Sequence, residues 1–287
     1  MAARWGSRVE RRDRDGRYRL EVRALAAIDQ WPCNAAAGVI TPDGSVHAHG
    51  DTDQVFALAS ITKLVTAAAV LLAVEEGSVT LGDSVDSRGA TLADLLGHAG
   101  GLAPNGAALE GPGRRRIYSN GGYEQAASHV EEQTGIPFGD YLREGILEPL
   151  DMRSTELVGS PAYGARSSVS DLVSFLRGLP QLLAPSTIAS MTSPYLPELV
   201  GVLPGYGRQT PNTWGLGPEI RSSKSPHWTG ASNSAATWGH FGQAGTFVWN
   251  DPAVDVCLVV LTDRPFGDWV HDRWPNLSDA VRVEATQ

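Results

Sequence analysis

The chain has 287 residues, 42% of them hydrophobic and 19% charged, which is enough to bury a full core as one large domain or two intimate ones. A formal net charge of −9 argues against a nucleic-acid partner, whose phosphates require a basic stripe; the one basic cluster outside the N-terminal tail is Arg114-Arg115-Arg116. The N-terminus carries charges where a secretory signal needs an apolar stretch, and no later segment has the roughly 18 uninterrupted apolar residues of a membrane span, so a cytoplasmic protein without a membrane partner is expected.

In chain order, a charged tail over residues 1–17 precedes "YRLEVRALAAIDQW", where Leu20, Val22, Leu25 and Ile28 have helical spacing and Pro32 stops the run. "AAAGVITPDGSVHAHGD" reads as a hairpin turning at Pro42-Asp43-Gly44. The apolar run from Phe56 to Gly77 is a helix, with Gly77 placed to cap its end. Short helices follow in "TLADLLGHAGGL", "GYEQAASHVEEQTG", "FGDYLREGIL" and "SVSDLVSFLRGL", with candidate N-caps at Thr91, Ser168 and Ser170. Beyond Asn212 the pattern turns strand-like in "TWGLGPEI", "ATWGHF", "AGTFVWN" and "DVCLVVLTD", before a helical C-terminus. The expected organisation is therefore a sheet domain from residues 18–79 and 200–287 with a helical domain, 80–199, inserted in it. Cys33 and Cys257 are too few for a disulfide framework and read as small buried hydrophobes.

The run from Phe56 opens with Ser60 and Lys63, three residues apart and so on one helix face. The partial positive charge of a helix N-terminus and the loss of water beneath an apolar helix both lower the proton affinity of Lys63. A neutral lysine there can take the proton of Ser60, which makes the serine a candidate nucleophile. The residues after Lys63, Leu64 to Val74, are apolar nearly all round, so the amine enters a buried helix and needs a purpose or a partner.

Ser60-Ile61-Thr62-Lys63, Tyr118-Ser119-Asn120 and His240-Phe241-Gly242, in that order, resemble the serine β-lactamase and penicillin-binding-protein superfamily. The text between them is similar to its class C β-lactamase, D,D-peptidase and esterase branch, over roughly residues 22 to 285. The resemblance implies an α+β fold of β-lactamase type: an antiparallel sheet packed by N- and C-terminal helices, an inserted all-helical lobe, and the active site between them. It implies Ser60 as nucleophile, Lys63 and Tyr118 sharing the proton transfers, and Asn120 orienting Lys63 and the acyl side chain. The oxyanion would lie between the backbone N–H groups of Ser60 and Gln243, with His240 opposite Ser60 and Gly242 closing the triplet. No cofactor is implied.

Class C β-lactamases present K-T-G where this chain has His240 and Phe241, so the usual anchor for a β-lactam carboxylate is weakened. An esterase-like hydrolase, amidase or acyltransferase acting on a small acyl substrate is the favoured reading. β-Lactamase or D-amino-acid peptidase activity comes next, and a catalytically silent acyl- or penicillin-binding module last. Phe241, Trp228 and Trp238 are candidates for an acyl pocket, and one arginine of 114–116 for a substitute anion anchor. His47 and His49 share a strand face without further ligand-spaced partners, so no metal site is expected; His98 and His129 fall in helical segments as surface or packing residues.

Overall fold

A computed structural model describes residues 22–287. The charged tail, and Leu20 of the first helical run, lie outside the described residues. The remainder of that run is a 3₁₀ helix, Arg23–Gln30, burying Leu25 and Ile28. It ends where Trp31 turns extended, with ψ of 148°, because the ring of Pro32 disfavours a helical residue before it.

The expected hairpin forms from β1 (Ala35–Ile40) and β2 (Val46–His49), antiparallel with Ile40 opposite Val46. Asp43 fastens its turn by accepting from Thr41 Oγ1 at 2.6 Å and from the Ser45 N–H at 2.9 Å. β3 (Phe56–Ala57) leads through a 3₁₀ turn, Ala59–Ile61, into α1 (Thr62–Glu75). Helix α1 is apolar on every side and correspondingly buried through most of its length.

The next segment carries α2 (Leu92–Leu96), α3 (Asn120–Thr134) and α4 (Phe138–Leu142), the last running on into a π turn over Arg143–Leu147. Thr91 and Asp94 make a reciprocal capping box at α2. Strands β4 (Glu156–Leu157) and β5 (Ala165–Ser167) join β3 in a small sheet of order β3-β5-β4. Then come α5 (Val169–Leu182) and α6 (Pro185–Thr192). Ser168 caps α5, but Ser170 lies inside it, its hydroxyl turned to Asp53 at 2.7 Å.

Strands β6 (Gly201–Leu203) and β7 (Gly207–Gln209) form a separate hairpin. "TWGLGPEI" is a strand only at its end, β8 (Glu219–Ile220). Its middle runs too close to α6 to pair regularly, since a Cβ on Gly215 would sit 2.1 Å from the Met191 carbonyl oxygen. β9 (Trp238–Gly242), β10 (Thr246–Asp251) and β11 (Val256–Thr262) follow as expected, and α7 (Val270–Ala285) closes the chain. The main sheet has the order β2-β1-β11-β10-β9-β8, antiparallel at each pairing.

The strands' period-two alternation sends their side chains to two cores. Val39, Phe247, Trp249, Leu258 and Val260 pack with α7 and the N-terminal 3₁₀ helix. Ala36, Val248, Val259 and Leu261 pack with α1 and α5. The fold is thus the antiparallel, helix-packed α+β arrangement that the resemblance implied. Among the described residues no helix is long and apolar enough to cross a membrane. Cys257 is buried, but Cys33 is only partly so because it sits at the surface bend before β1; both are free thiols.

Candidate active site

Three segments distant in sequence meet at the N-terminus of α1. The approach to Ser60 is bent at Ala59, a non-glycine residue at φ 47°. Such a backbone persists only when its surroundings over-determine it. They do: the Leu58 N–H donates to the Ala165 carbonyl at 2.9 Å, and Thr246 Oγ1 of β10 donates to the Leu58 carbonyl at 3.0 Å. Gly242, at the end of β9, lies on the same carbonyl so closely that a Cβ would stand 2.3 Å from it. The third position of H-F-G therefore needs a glycine to let the sheet end touch the serine turn.

Lys63, in the first turn of α1, is fully buried. Its Nζ donates to Asn120 Oδ1 at 2.7 Å, to the Ala162 carbonyl at 2.8 Å and, at 3.4 Å, to Ser60 Oγ. Burial lowers its proton affinity to a pKa of about 7, against an opposing pull from the Glu124 carboxylate. Glu124 is also tied to the lysine's support, because Ser160 Oγ donates to Glu124 at 2.6 Å while accepting the Ala162 N–H at 3.1 Å.

Tyr118 donates its phenolic hydrogen to Ser60 Oγ at 2.7 Å. Burial raises its pKa well above the usual range, so it remains a neutral donor at pH 7. Its ring is packed by His98 at 4.5 Å, Trp214 at 5.8 Å and His240 at 5.9 Å. Ser119 caps α3 through its hydroxyl, accepting from the Gly122 N–H, which fixes Asn120 as the first helical residue. The middle position of Y-x-N thus holds the outer two in place.

A cavity of about 40 Å³ opens on Ser60, lined by Tyr118, Leu203, Pro204, Trp214, His240, Phe241 and Gln243. Ser60, Lys63, Tyr118, Asn120, His240, Gly242 and Gln243 are therefore brought to one place. Phe241 joins the lining although its ring lies on the α7 side of the sheet, stacked on Phe266 at 5.3 Å. Neither expected tryptophan walls the cavity. Trp228 is enclosed on the α7 side, donating to Glu219 and packing against Phe241 and Phe247. Trp238 is two residues from His240 and packs into the α1 core. The tryptophan that does reach the cavity is Trp214, in the loop read as a strand.

The arginine cluster does not reach the cavity either. Arg115 pairs with Glu110, and Arg116 is a buried staple whose guanidinium donates to the carbonyls of Gly97, Asn212 (3.1 Å), Tyr195 (2.6 Å) and Leu196 (2.9 Å). Replacing it orphans these carbonyls, so Arg116→Met is expected to cost about 3 kcal/mol, with Tm lower by roughly 10 °C in a calorimetric scan. The preference between anionic and neutral substrates should not change; a selective loss of anionic ones at unchanged Tm would restore the anchoring role.

His98 is neither helical nor at the surface. It follows α2 at φ 56°, is buried against Tyr118 and Trp214, and accepts the Ser119 N–H on Nδ1 at 3.2 Å. His129 is bonded to Asp83 and His49 to Asp29. Among the described residues no group of three or more His, Cys, Asp or Glu could hold a metal ion.

Trp214, Leu203, Pro204, Glu124 and the Ala162 carbonyl were not picked out from the sequence. Only Glu124 had a usable signal, four residues after Asn120 and so on the same face of α3.

A serine between a neutral phenol and a lysine poised near neutrality is equipped for acyl transfer. The comparisons agree at the family level. The Beta-lactamase family model matches residues 29–281. A beta-lactamase from Mycobacterium bovis is 51% identical, with 92% of this chain and 100% of that one covered and a TM-score of 0.90. Two structures at 19% identity share the fold: a mutant of simvastatin synthase from Aspergillus terreus (TM-score 0.74, 91% and 97% covered) and a D-amino acid amidase from Ochrobactrum anthropi (0.72, 92% and 96%). No curated protein sequence matches significantly. With nearly all of the described residues matched, this protein belongs to the beta-lactamase family of serine hydrolases.

Proposed function

We propose that the protein is an esterase- or amidase-like hydrolase, or an acyltransferase, that works through an acyl-enzyme on Ser60. The observation that carries this reading is the placement of Ser60 Oγ within reach of both Tyr118 (2.7 Å) and the buried Lys63 (3.4 Å) at the mouth of one cavity. Tyr118 donates to Ser60; once Lys63 has lost its third hydrogen, the two it keeps go to Asn120 and the Ala162 carbonyl and its lone pair faces the serine's own hydrogen, and the raised pKa of the phenol makes this neutral amine the better base.

Ser60 Oγ attacks the acyl carbon as its proton passes to Lys63, and the carbonyl oxygen turns toward the N–H groups of Ser60 and Gln243. The leaving group departs with a proton supplied through Tyr118, which Lys63 makes good. Water or another nucleophile then gives up a proton to the same pair as it attacks the ester, releasing Ser60 with its hydrogen restored.

A small, uncharged acyl substrate is favoured because, among the described residues, no lysine or arginine lines the cavity, and the K-T-G position holds a neutral histidine and a phenyl ring. The 51% identical M. bovis relative is called a beta-lactamase, which favours β-lactam hydrolysis as the second reading. Intact-protein mass spectrometry with a short-chain aryl ester, a β-lactam and a D-alanyl peptide thioester separates them. We expect turnover or a covalent adduct with the aryl ester and poor labelling by the other two; efficient reaction of the β-lactam would reverse the order.

A further inference from the structure

Lys63 is held between two acceptors, and one face of α3 anchors both. Asn120 bonds the amine directly at 2.7 Å. Glu124, one turn further along α3, acts through the turn between β4 and β5, residues 158–164. That turn folds about Ser160. Its carbonyl accepts from the N–H groups of Tyr163 (3.0 Å) and Gly164 (2.6 Å), and its hydroxyl oxygen accepts the Ala162 N–H at 3.1 Å. Two successive carbonyls are thereby presented to α1: Pro161 accepts from Thr66 Oγ1 at 2.6 Å, and Ala162 from Lys63 Nζ at 2.8 Å. The hydroxyl hydrogen of Ser160 joins the whole turn to α3, because it is donated to Glu124 Oε1 at 2.6 Å.

Where the Ala162 carbonyl stands decides where the neutral amine points. With its two hydrogens on Asn120 and Ala162, a neutral Lys63 turns its lone pair to Ser60 Oγ. A carbonyl free to shift lets the amine rotate and the lone pair swing away from the serine, and misorientation of a reacting group is costly in rate. Neither Ser160 nor Glu124 lines the cavity at Ser60; Glu124 lines a different one, of about 300 Å³, with Asn105 and Gln125.

We propose that Ser160 is a positioning residue for the base: its hydroxyl, anchored on Glu124, fixes the Ala162 carbonyl and so aims the Lys63 lone pair at Ser60. This rests on the acyl-enzyme reading above. Glu124 then has two separable effects, one through its charge and one through the hydrogen bond it accepts. The other titratable groups around Lys63 do not add a charge: burial keeps Tyr118 and Tyr123 protonated, their rings 4.7 and 5.5 Å from Nζ, and keeps His98 and His240 neutral.

The test is kcat/KM for 4-nitrophenyl acetate from pH 5 to 9, which yields both the rate on the alkaline plateau and the position of the acidic limb. Ser160→Ala breaks the anchor and leaves the carboxylate, so its plateau should fall by about tenfold while its limb stays within about half a pH unit of the wild type. Glu124→Gln keeps an acceptor and loses the charge, so its limb should move and its plateau should fall less than that of Ser160→Ala. Ser160→Thr, which keeps the hydroxyl, should retain most of the wild-type plateau. Should Ser160→Ala not fold, Glu124→Leu decides instead: it removes the acceptor as well as the charge, and its plateau should lie about tenfold below that of Glu124→Gln. A Ser160→Ala plateau equal to the wild type, a loss shared equally by the alanine and threonine variants, or matching plateaus in Glu124→Leu and Glu124→Gln would overturn this inference and leave the hydrolase reading standing. If the wild type is not acylated at Ser60 by the ester, the hydrolase reading falls and this one with it.

Discussion

Ser60→Ala is expected to lower turnover of an activated aryl ester by on the order of 10⁴-fold or more and to abolish any covalent adduct detectable by intact mass. The effect is this large because every other part of the proposed apparatus converges on one oxygen. Tyr118 donates to it, Lys63 approaches it, and the Gly242 contact and the Thr246 hydrogen bond hold its turn in shape. The fold should be little affected. Ser60 is only partly buried, alanine suits its helical turn, and the interactions lost are the hydrogen bond that Tyr118 donates and the longer one, 3.4 Å, with Lys63. A thermal unfolding curve within a few degrees of the wild type would show that the missing activity is chemical. A variant that still turned over the ester near the wild-type rate would remove Ser60 from the mechanism, and the Tyr118 and Lys63 contacts would need another explanation.

Ser60 and Lys63 could be read from their spacing at the head of an apolar run, and Tyr118 and Asn120 from the family resemblance; the structure brings the four side chains together. The run after Lys63 was equally plain, since a helix apolar all round has nowhere to go but the core. What escaped detection was of a different kind. Lys63 is braced by the carbonyl of Ala162, and a backbone carbonyl leaves no mark on residue type. Arg116 in a Gly-Pro-rich loop looks like a solvated charge, because sequence spacing cannot reveal that four carbonyls from three separate segments surround it. Trp214 reaches the cavity from a loop whose path is set by close contact with α6.

The two misplaced tryptophans differ from each other. Trp228 has no strand register to assign it a face. Trp238 does: on β9, positions 238 and 240 share one face while 241 takes the other, which sends Trp238 into the α1 core and the Phe241 ring to the α7 side. Parity alone was enough to separate that pair. It did not forbid the outcome found for Phe241, which reaches the cavity from the far side.

The second large effect concerns pH. Lys63 must be neutral to accept the Ser60 proton, and its pKa has been brought down from 10.5 to about 7 by burial. Activity should therefore be lost as pH falls through about 7, with kcat/KM declining close to tenfold per unit below that point. Lys63→Arg, charged at every accessible pH, should be inactive across the range, by on the order of 10³-fold or more at pH 8. Glu124→Gln removes the carboxylate that favours the charged amine, so its acidic limb should move to lower pH; a limb that moved upward or stayed put would exclude Glu124 from this role.

The same shift has a stability consequence with a definite sign. Between about 7 and 10.5 the unfolded chain holds the Lys63 proton and the folded chain does not, so this group makes folding more favourable as pH rises through that window, and its full cost is felt below 7. Comparing wild type with Lys63→Met cancels the other titrating groups. The stability of the wild type relative to the variant should climb between pH 7 and 10 by up to about 1.4 kcal/mol per unit. A pH-independent difference would mean that Lys63 titrates normally in the folded protein; the neutral amine that the mechanism requires at physiological pH would then be absent, and the base would have to be sought elsewhere in the site.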